Sequence, residues 1–155
     1  MISQKAKYAL RALVALARAE NDKSLLISDI AEAYEIPKKF LEQILLVLKH
    51  HGLVRSKRGK FGGYMLLKRP EDITFGRVLR IVDGPIAPLP CLSKIAYRRC
   101  DDCRSESACE IRRVFAVVAD STRHILDNST LADAILDDVK RPSKAKSTTP
   151  RKPVS

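Results

Sequence analysis

Apolar residues fall into helical register from the start of the chain. Ala6, Ala9, Leu10, Leu13, Val14 and Ala17 follow the i, i+3, i+4, i+7 pattern, which predicts a helix from a Ser3 cap to about Ala19. A polar stretch, Glu20 to Lys23, interrupts the pattern. Ser28 is placed to cap a short helix carrying Ile30, Ala31 and Tyr34. Pro37 suits the first turn of the next, whose apolar positions are Leu41, Ile44, Leu45 and Leu48 and which Gly52 stops. Glu35 and Ile36 form the link between these two helices, short enough to force a sharp crossing, the helix-turn-helix pattern.

The period then changes. Leu53–Ser56 and Tyr64–Leu67 read as paired strands, joined by the basic, glycine-rich run Lys57-Arg58-Gly59-Lys60-Phe61-Gly62-Gly63. A hairpin placed directly after a helix-turn-helix is a wing. Glycine lets its backbone take positive φ and approach another surface, while the cations suit phosphates or a narrow minor groove. Many basic turns exist only because turns face water; the position of this one, after a helix pair, points to DNA.

Helical spacing returns twice more. Thr74 is predicted to cap a helix with Phe75, Val78, Leu79 and Val82 on one face, closed by Asp83-Gly84-Pro85. After an aperiodic stretch, a long helix runs through Ile111, Val114, Phe115, Val118, Ile125 and Leu126. Thr130 caps a last short one with Leu131, Ile135, Leu136 and Val139. The long stripe has too little chain around it to be enclosed, so its expected partner is the same helix of a second subunit, with packing onto the first helix as the alternative.

The predicted fold is mainly α with a small β-hairpin. A winged helix-turn-helix DNA-binding domain occupies residues 1–82, a cysteine-bearing sensor loop 83–109, and a dimerisation helix with a short terminal helix 110–139. The Lys/Ser/Thr/Pro-rich tail, 140–155, has the composition of a disordered segment.

Charge sharpens this division. Residues 1–82 carry a net +8, residues 83–139 a net −3, and the tail six basic residues without an acid. A basic front half is the footprint of a protein that approaches phosphate. With 5% aromatic residues the chain lacks the stacking platform of a single-strand RNA binder. No apolar run approaches the roughly 18 residues of a membrane span, and no signal-peptide core follows Met1, so a cytoplasmic protein is expected. His50 and His51 sit at a helix end and His124 lies alone. No nucleophile triad or carboxylate pair accompanies them, which leaves a small metalloenzyme only as a remote alternative.

The four cysteines are spaced Cys91-x8-Cys100-x2-Cys103-x5-Cys109. Structural disulfides are not expected in a reducing compartment, where clustered cysteines bind metal or sense oxidants. A structural zinc site usually shows two knuckle pairs, and here only Cys100 and Cys103 form one. The loose spacing suits an iron–sulfur cluster held by four thiolates, with zinc, a thiol/disulfide switch and inert thiols as alternatives. Flanking Lys94, Arg98, Arg99, Arg104, Arg112 and Arg113 are expected to offset thiolate charge and lower the cysteine pKa values.

Taken in order, several landmarks resemble one family: Tyr8-Ala9-Leu10-Arg11-Ala12-Leu13, Ile30-Ala31-Glu32, Ile36-Pro37, Phe40-Leu41-Glu42-Gln43-Ile44, Gly52-Leu53-Val54, Arg58-Gly59-x-x-Gly62-Gly63-Tyr64 and Thr130-Leu131-Ala132-Asp133. Across residues 1 to about 139 the chain is similar to the Rrf2 family of bacterial regulators, among them iron–sulfur assembly regulators and nitric-oxide sensors.

The resemblance implies a homodimer on a palindromic double-stranded operator, acting as a repressor, with no small-molecule substrate. It also implies a [2Fe–2S] or [4Fe–4S] cluster that senses redox, nitric oxide or iron status. By position, Lys38, Lys39, Phe40, Glu42 and Gln43 start the recognition helix. Gln43 can read adenine and Glu42 can accept from cytosine, while Phe40 is equally suited to the core. Arg58 corresponds to the minor-groove residue, flanked by Gly59, Lys60, Gly63 and Tyr64. Lys5 and Tyr8 correspond to backbone contacts.

At the sensor the chain departs from the family pattern. Only Cys103-x5-Cys109 keeps the interval of the better-known members. Arg112 and Lys7 stand where some members place a fourth ligand, and neither can ligate. The resemblance therefore implies that Cys100 completes an all-cysteine set of Cys91, Cys100, Cys103 and Cys109 within one subunit.

Overall fold

Ser3 begins the first helix as its spacing predicts. Its hydroxyl accepts from the Ala6 N–H, and α1 runs Gln4–Arg18. The structure, a computed structural model, describes residues 2–19, 23–60 and 62–140, the last four as backbone alone; the predicted disordered tail lies, from Arg141 on, outside the described residues. The buried stripe Ala6, Ala9, Ala12, Leu13 and Leu16 makes α1 the central helix.

Helix α2 spans Ile27–Ala33 and α3 Lys38–His50. Ser28 is not the cap of α2: Leu26 holds that position without a side-chain bond, and the Ser28 hydroxyl turns to the Asp29 carboxylate. Pro37 stands at the cap of α3, one residue before the predicted first turn. Both helices end in the same two-bond motif. In α2 the Ile36 N–H reaches the Ala31 carbonyl at 2.9 Å and Glu35 N–H that of Glu32 at 3.3 Å; in α3 Leu53 N–H reaches Leu48 and Gly52 N–H reaches Lys49, both at 3.0 Å. The residue between must be left-handed. Gly52 takes φ +67° without penalty, but in the helix-turn-helix link Glu35 takes φ +51°.

Strands β1 (Val54–Lys57) and β2 (Gly63–Leu66) pair antiparallel with Val54 opposite Leu66 and Lys57 opposite Gly63. Relative to the sequence reading, β1 starts one residue later and β2 one residue earlier. Leu25 adds an isolated bridge to β2 through reciprocal bonds with Tyr64, both 2.8 Å. A 3-10 turn at Pro70–Asp72 leads to α4, Phe75–Val82, capped by the Thr74 hydroxyl as predicted. A second 3-10 turn, Pro90–Leu92, lies in the cysteine segment; α5 spans Glu110–Asn128 and α6 Leu131–Lys140.

The core unites residues far apart in sequence. Leu13, Ile30, Leu41, Ile44, Leu45, Leu48, Leu53, Ile73 and Val78 are fully buried together with Leu131 from α6. Helix α6 packs on α1 and on the Pro70–Asp72 turn, and Thr74 bridges Thr130. Helix α5 packs chiefly on α4 and on the Pro90–Leu92 turn. Ser3 also closes the unit end to end: its N–H donates to Asp83 at 2.8 Å and its hydroxyl to the same carboxylate.

Candidate nucleic-acid interface and cysteine segment

The start of α3 stands clear of the core. Lys38, Lys39, Glu42 and Gln43 are exposed, whereas Leu41, Ile44 and Leu45 on the opposite face are buried. Phe40 combines the two roles weighed for it. It is 37% exposed, yet its ring meets that of Tyr8 edge-on at 5.8 Å between centroids. That contact fixes the exposed end of α3 against α1, where Lys5 and Tyr8 are half-buried.

The wing owes its shape to three glycines. Gly59 turns at φ +105°, and the Gly62 N–H closes the tip on the Gly59 carbonyl at 2.9 Å. A Cβ on Gly62 would lie 2.8 Å from the carbonyl oxygens of both Gly59 and Lys57. Gly63, at φ +139°, is more constrained still, because a Cβ there would lie 2.3 Å from the Leu25 oxygen. These contacts project exposed Arg58, Gly59 and Lys60 outward and leave Gly63 and Tyr64 half-buried at the wing's base. The Lys49 ammonium donates to the Ser56 hydroxyl at 2.7 Å, tying α3 to β1; the sequence carried no motif for this link.

All four cysteines line one cavity of about 420 Å³ beside the start of α5, shared with Leu89, Ile111 and Arg112. Cys91 is buried in the Pro90–Leu92 turn, and Cys100, Cys103 and Cys109 are half-buried. Cys109 caps α5, its sulfur accepting from the Arg112 N–H at 3.4 Å. The Arg99 guanidinium donates to the carbonyls of Cys103 (2.9 Å) and Arg104 (3.1 Å). Tyr97 hydrogen-bonds Glu106, which raises the phenol's pKa and draws two ends of the segment together.

The expectation that the flanking cations lower the cysteine pKa values is overturned at Cys100. Burial, a hydrogen bond with Cys91 and the neighbouring Cys91, Cys103 and Asp102 push this thiol up. The Arg99 guanidinium instead spends donors on the carbonyls of Cys103 and Arg104, and Arg112 stands in an ion pair with Glu106 at 3.8 Å.

Four soft sulfurs on one cavity are the donor chemistry of an iron–sulfur cluster or zinc. Among the described residues, however, no three Cys, His, Asp or Glu side chains are already drawn into a metal-holding group. The donor set fits such a group, which these residues would hold once the segment drew in around it.

Comparison with known proteins accounts for the fold. The family model Rrf2, described as an iron-dependent transcriptional regulator, matches residues 2–137. An HTH-type transcriptional regulator described as rrf2-like, from Rhodobacter capsulatus, is 51% identical over 138 residues, covering 87% of this chain and 92% of that one. The solved structure of CymR, the global cysteine regulator of B. subtilis, superposes with a TM-score of 0.74 at 29% identity over 88% of this chain and 97% of that one. T. potens IscR gives 0.72 at 27% identity, covering 94% and 93%. No helix among the described residues is long and apolar enough to cross a membrane. With its mainly helical winged helix-turn-helix fold and two-stranded hairpin, the chain belongs to the Rrf2 family of DNA-binding transcription regulators and is not an enzyme.

Proposed function

We propose that the chain is a homodimeric repressor whose hold on a palindromic operator is set by an iron–sulfur cluster on Cys91, Cys100, Cys103 and Cys109. The observation that carries this reading is the gathering of four thiols around one cavity at the head of α5, the helix packed on α4 of the winged unit. The family's description as iron-dependent supports it. Bound there, such a cluster would supply a centre reactive toward oxidants and nitric oxide.

The remaining work belongs to the chain's own residues. In this reading Gln43 and Glu42 meet base edges in the major groove. Lys38 and Lys39 face phosphates, and Arg58 at the wing tip enters the minor groove. Gly59, Lys60, Gly63 and Tyr64 shape the wing's approach, and Lys5 and Tyr8 brace α1 on the backbone. The exposed stripe Ile111, Val114, Phe115, Val118 and Ile125 meets its copy in a second subunit. Pairing of α5 with α5 then spaces two recognition helices near one DNA turn, about 34–36 Å. A tenfold change in operator affinity requires about 1.4 kcal/mol, within what ordering a loop supplies or withholds.

Anaerobic purification followed by iron, sulfide and zinc analysis tests the cofactor. Brown protein with iron and sulfide in equal amounts and visible absorbance is the expected result; colourless protein without iron overturns it. A second reading keeps the same DNA-binding fold and makes the cysteines a zinc site or thiol switch. Cys91 and Cys100, both free thiols lining one cavity, favour it. Stoichiometric zinc, or an oxidant-formed Cys91–Cys100 disulfide in iron-free protein, would establish that alternative.

A further inference from the structure

Two ties between the cysteine segment and α5 lie far apart along the helix. One is the Cys109 cap. The other is Arg123, fourteen residues further on and about 21 Å along the helix at 1.5 Å per residue. Its Nη1 donates to the carbonyl of Leu92, the residue after Cys91, at 3.2 Å, and its Nη2 to Asp120 at 2.5 Å. The Arg123 side chain is only 14% exposed, and its buried Nε has no hydrogen-bond partner among the described residues. A buried guanidinium with an unmatched N–H is costly, so its position depends on the two acceptors it does have. Asp120 is itself 67% exposed. The Leu92 carbonyl is thus the inward anchor.

One helical turn beyond Arg123, α5 is locked to the winged unit. Asp127 pairs with Arg80 of α4 directly over Gly76, where a Cβ would lie 2.0 Å from the Asp127 carboxylate. The Phe75 N–H donates to the Ser129 carbonyl at 2.9 Å, and Leu131 N–H to that of Ile73 at 3.0 Å.

We propose that Arg123 is a positioning residue that transmits the state of the cysteine segment to the DNA-binding unit. This rests on the reading of the cysteines as the sensor. Arg123 holds the turn containing Cys91 against the part of α5 that is fixed to α4. When the thiols' state displaces that turn, Arg123 loses its buried acceptor and its charge must move toward water. The disturbance falls one turn from Asp127, where α5 and α4 touch with no room to slide.

The test uses the full chain and two substitutions, Arg123→Gln and Arg123→Lys. The DNA probe is a duplex selected from a random pool by the wild-type chain, and N-ethylmaleimide reports the thiols. In the wild type, alkylation of the cysteines is expected to weaken binding tenfold or more, with Cys91 reacting slowly because it is buried. In Arg123→Gln, Cys91 should react at least tenfold faster, binding should already be weak, and further alkylation should change it less than twofold. Lysine keeps the charge on a single nitrogen, which cannot span both acceptors, so Arg123→Lys should fall between. This variant carries the test if the glutamine variant does not fold.

A wild-type alkylation rate at Cys91 in either variant overturns the role of Arg123, as does an undiminished alkylation response in Arg123→Gln. A wild-type chain whose DNA affinity ignores alkylation removes the sensor reading itself, and the proposal with it.

Discussion

The winged unit and α5 both rest on amphipathic helices, yet they finish their packing differently. In the winged unit the apolar faces of α1, α2 and α3 close on one another, and Leu13, Ile30, Leu41, Ile44, Leu45 and Leu48 are sealed from water. Along α5 only Ala119 is buried. Ile111, Val114, Phe115, Val117, Val118 and Ile125 are 39–67% exposed. One region closes its apolar faces within a single chain, and the other leaves an apolar stripe exposed, the surface proposed to meet a second copy. Packing and regulatory reach are thereby separated: the core of the winged unit is closed by residues of this chain, Leu131 of α6 among them, and the half proposed to sense leaves its apolar stripe open.

Substitutions can break this contrast. The largest expected effect is Leu131→Ala, which empties a site at the centre of the core and should cost about 3 kcal/mol of unfolding free energy in urea titration. Val114→Asp, on the exposed stripe, should do the reverse. The thermal midpoint of the winged unit should hold, while sedimentation shows self-association weakened at least about a hundredfold, roughly 2.7 kcal/mol. Equal effects of Val114→Asp on fold and assembly would dissolve the distinction.

Gly63→Ala tests the winged unit at its edge. Strain at φ +139° and the contact with the Leu25 oxygen should cost about 2 kcal/mol and abolish wing-dependent DNA binding in gel shift. The smallest effect is at the joint between the regions. The Thr130 N–H donates to Asp133 at 2.8 Å and its hydroxyl at 2.7 Å, while the Asp133 N–H returns to that hydroxyl at 3.2 Å. These bonds, the Thr130 hydroxyl's first, hold the Asp133 carboxyl below its ordinary range. Its contribution is therefore full above the unfolded aspartate pKa, about 3.9, and fades as pH falls through the lower folded value. Asp133→Asn should flatten the acid limb of a stability–pH curve below about pH 4 and leave neutral stability only slightly reduced.

Periodicity made the winged unit readable because its helices bury one face each, and a buried face writes itself into the spacing of Leu41, Ile44, Leu45 and Leu48. The Ser3 and Thr74 caps were legible because serine and threonine have few other reasons to precede an apolar run. Glu35 was not. Nothing in a glutamate marks a left-handed residue, and only the bonds Ile36 and Glu35 make to α2 demand one. Ser28 misled for a related reason: tertiary packing set the start of α2, and its hydroxyl found a side chain instead of the helix end. The cysteines announced themselves by number and spacing, but not the cavity they share. The direction of the Cys100 shift was also hidden, because sequence shows charges near a thiol and conceals where those charges spend their hydrogen bonds. Arg123 lay beyond reach altogether, since its acceptor is a backbone carbonyl thirty-one residues away.

The burial of Leu131 beside Ile73 and Val78 bears on how the protein is made. A chain emerging from the ribosome displays its recognition helix and wing early, but the last side chain of the core that supports them emerges after both the cysteine segment and α5. A nascent or prematurely terminated fragment would carry the residues proposed to read DNA on an unfinished scaffold. Completion of the reader's core thus waits on translation of the proposed sensor.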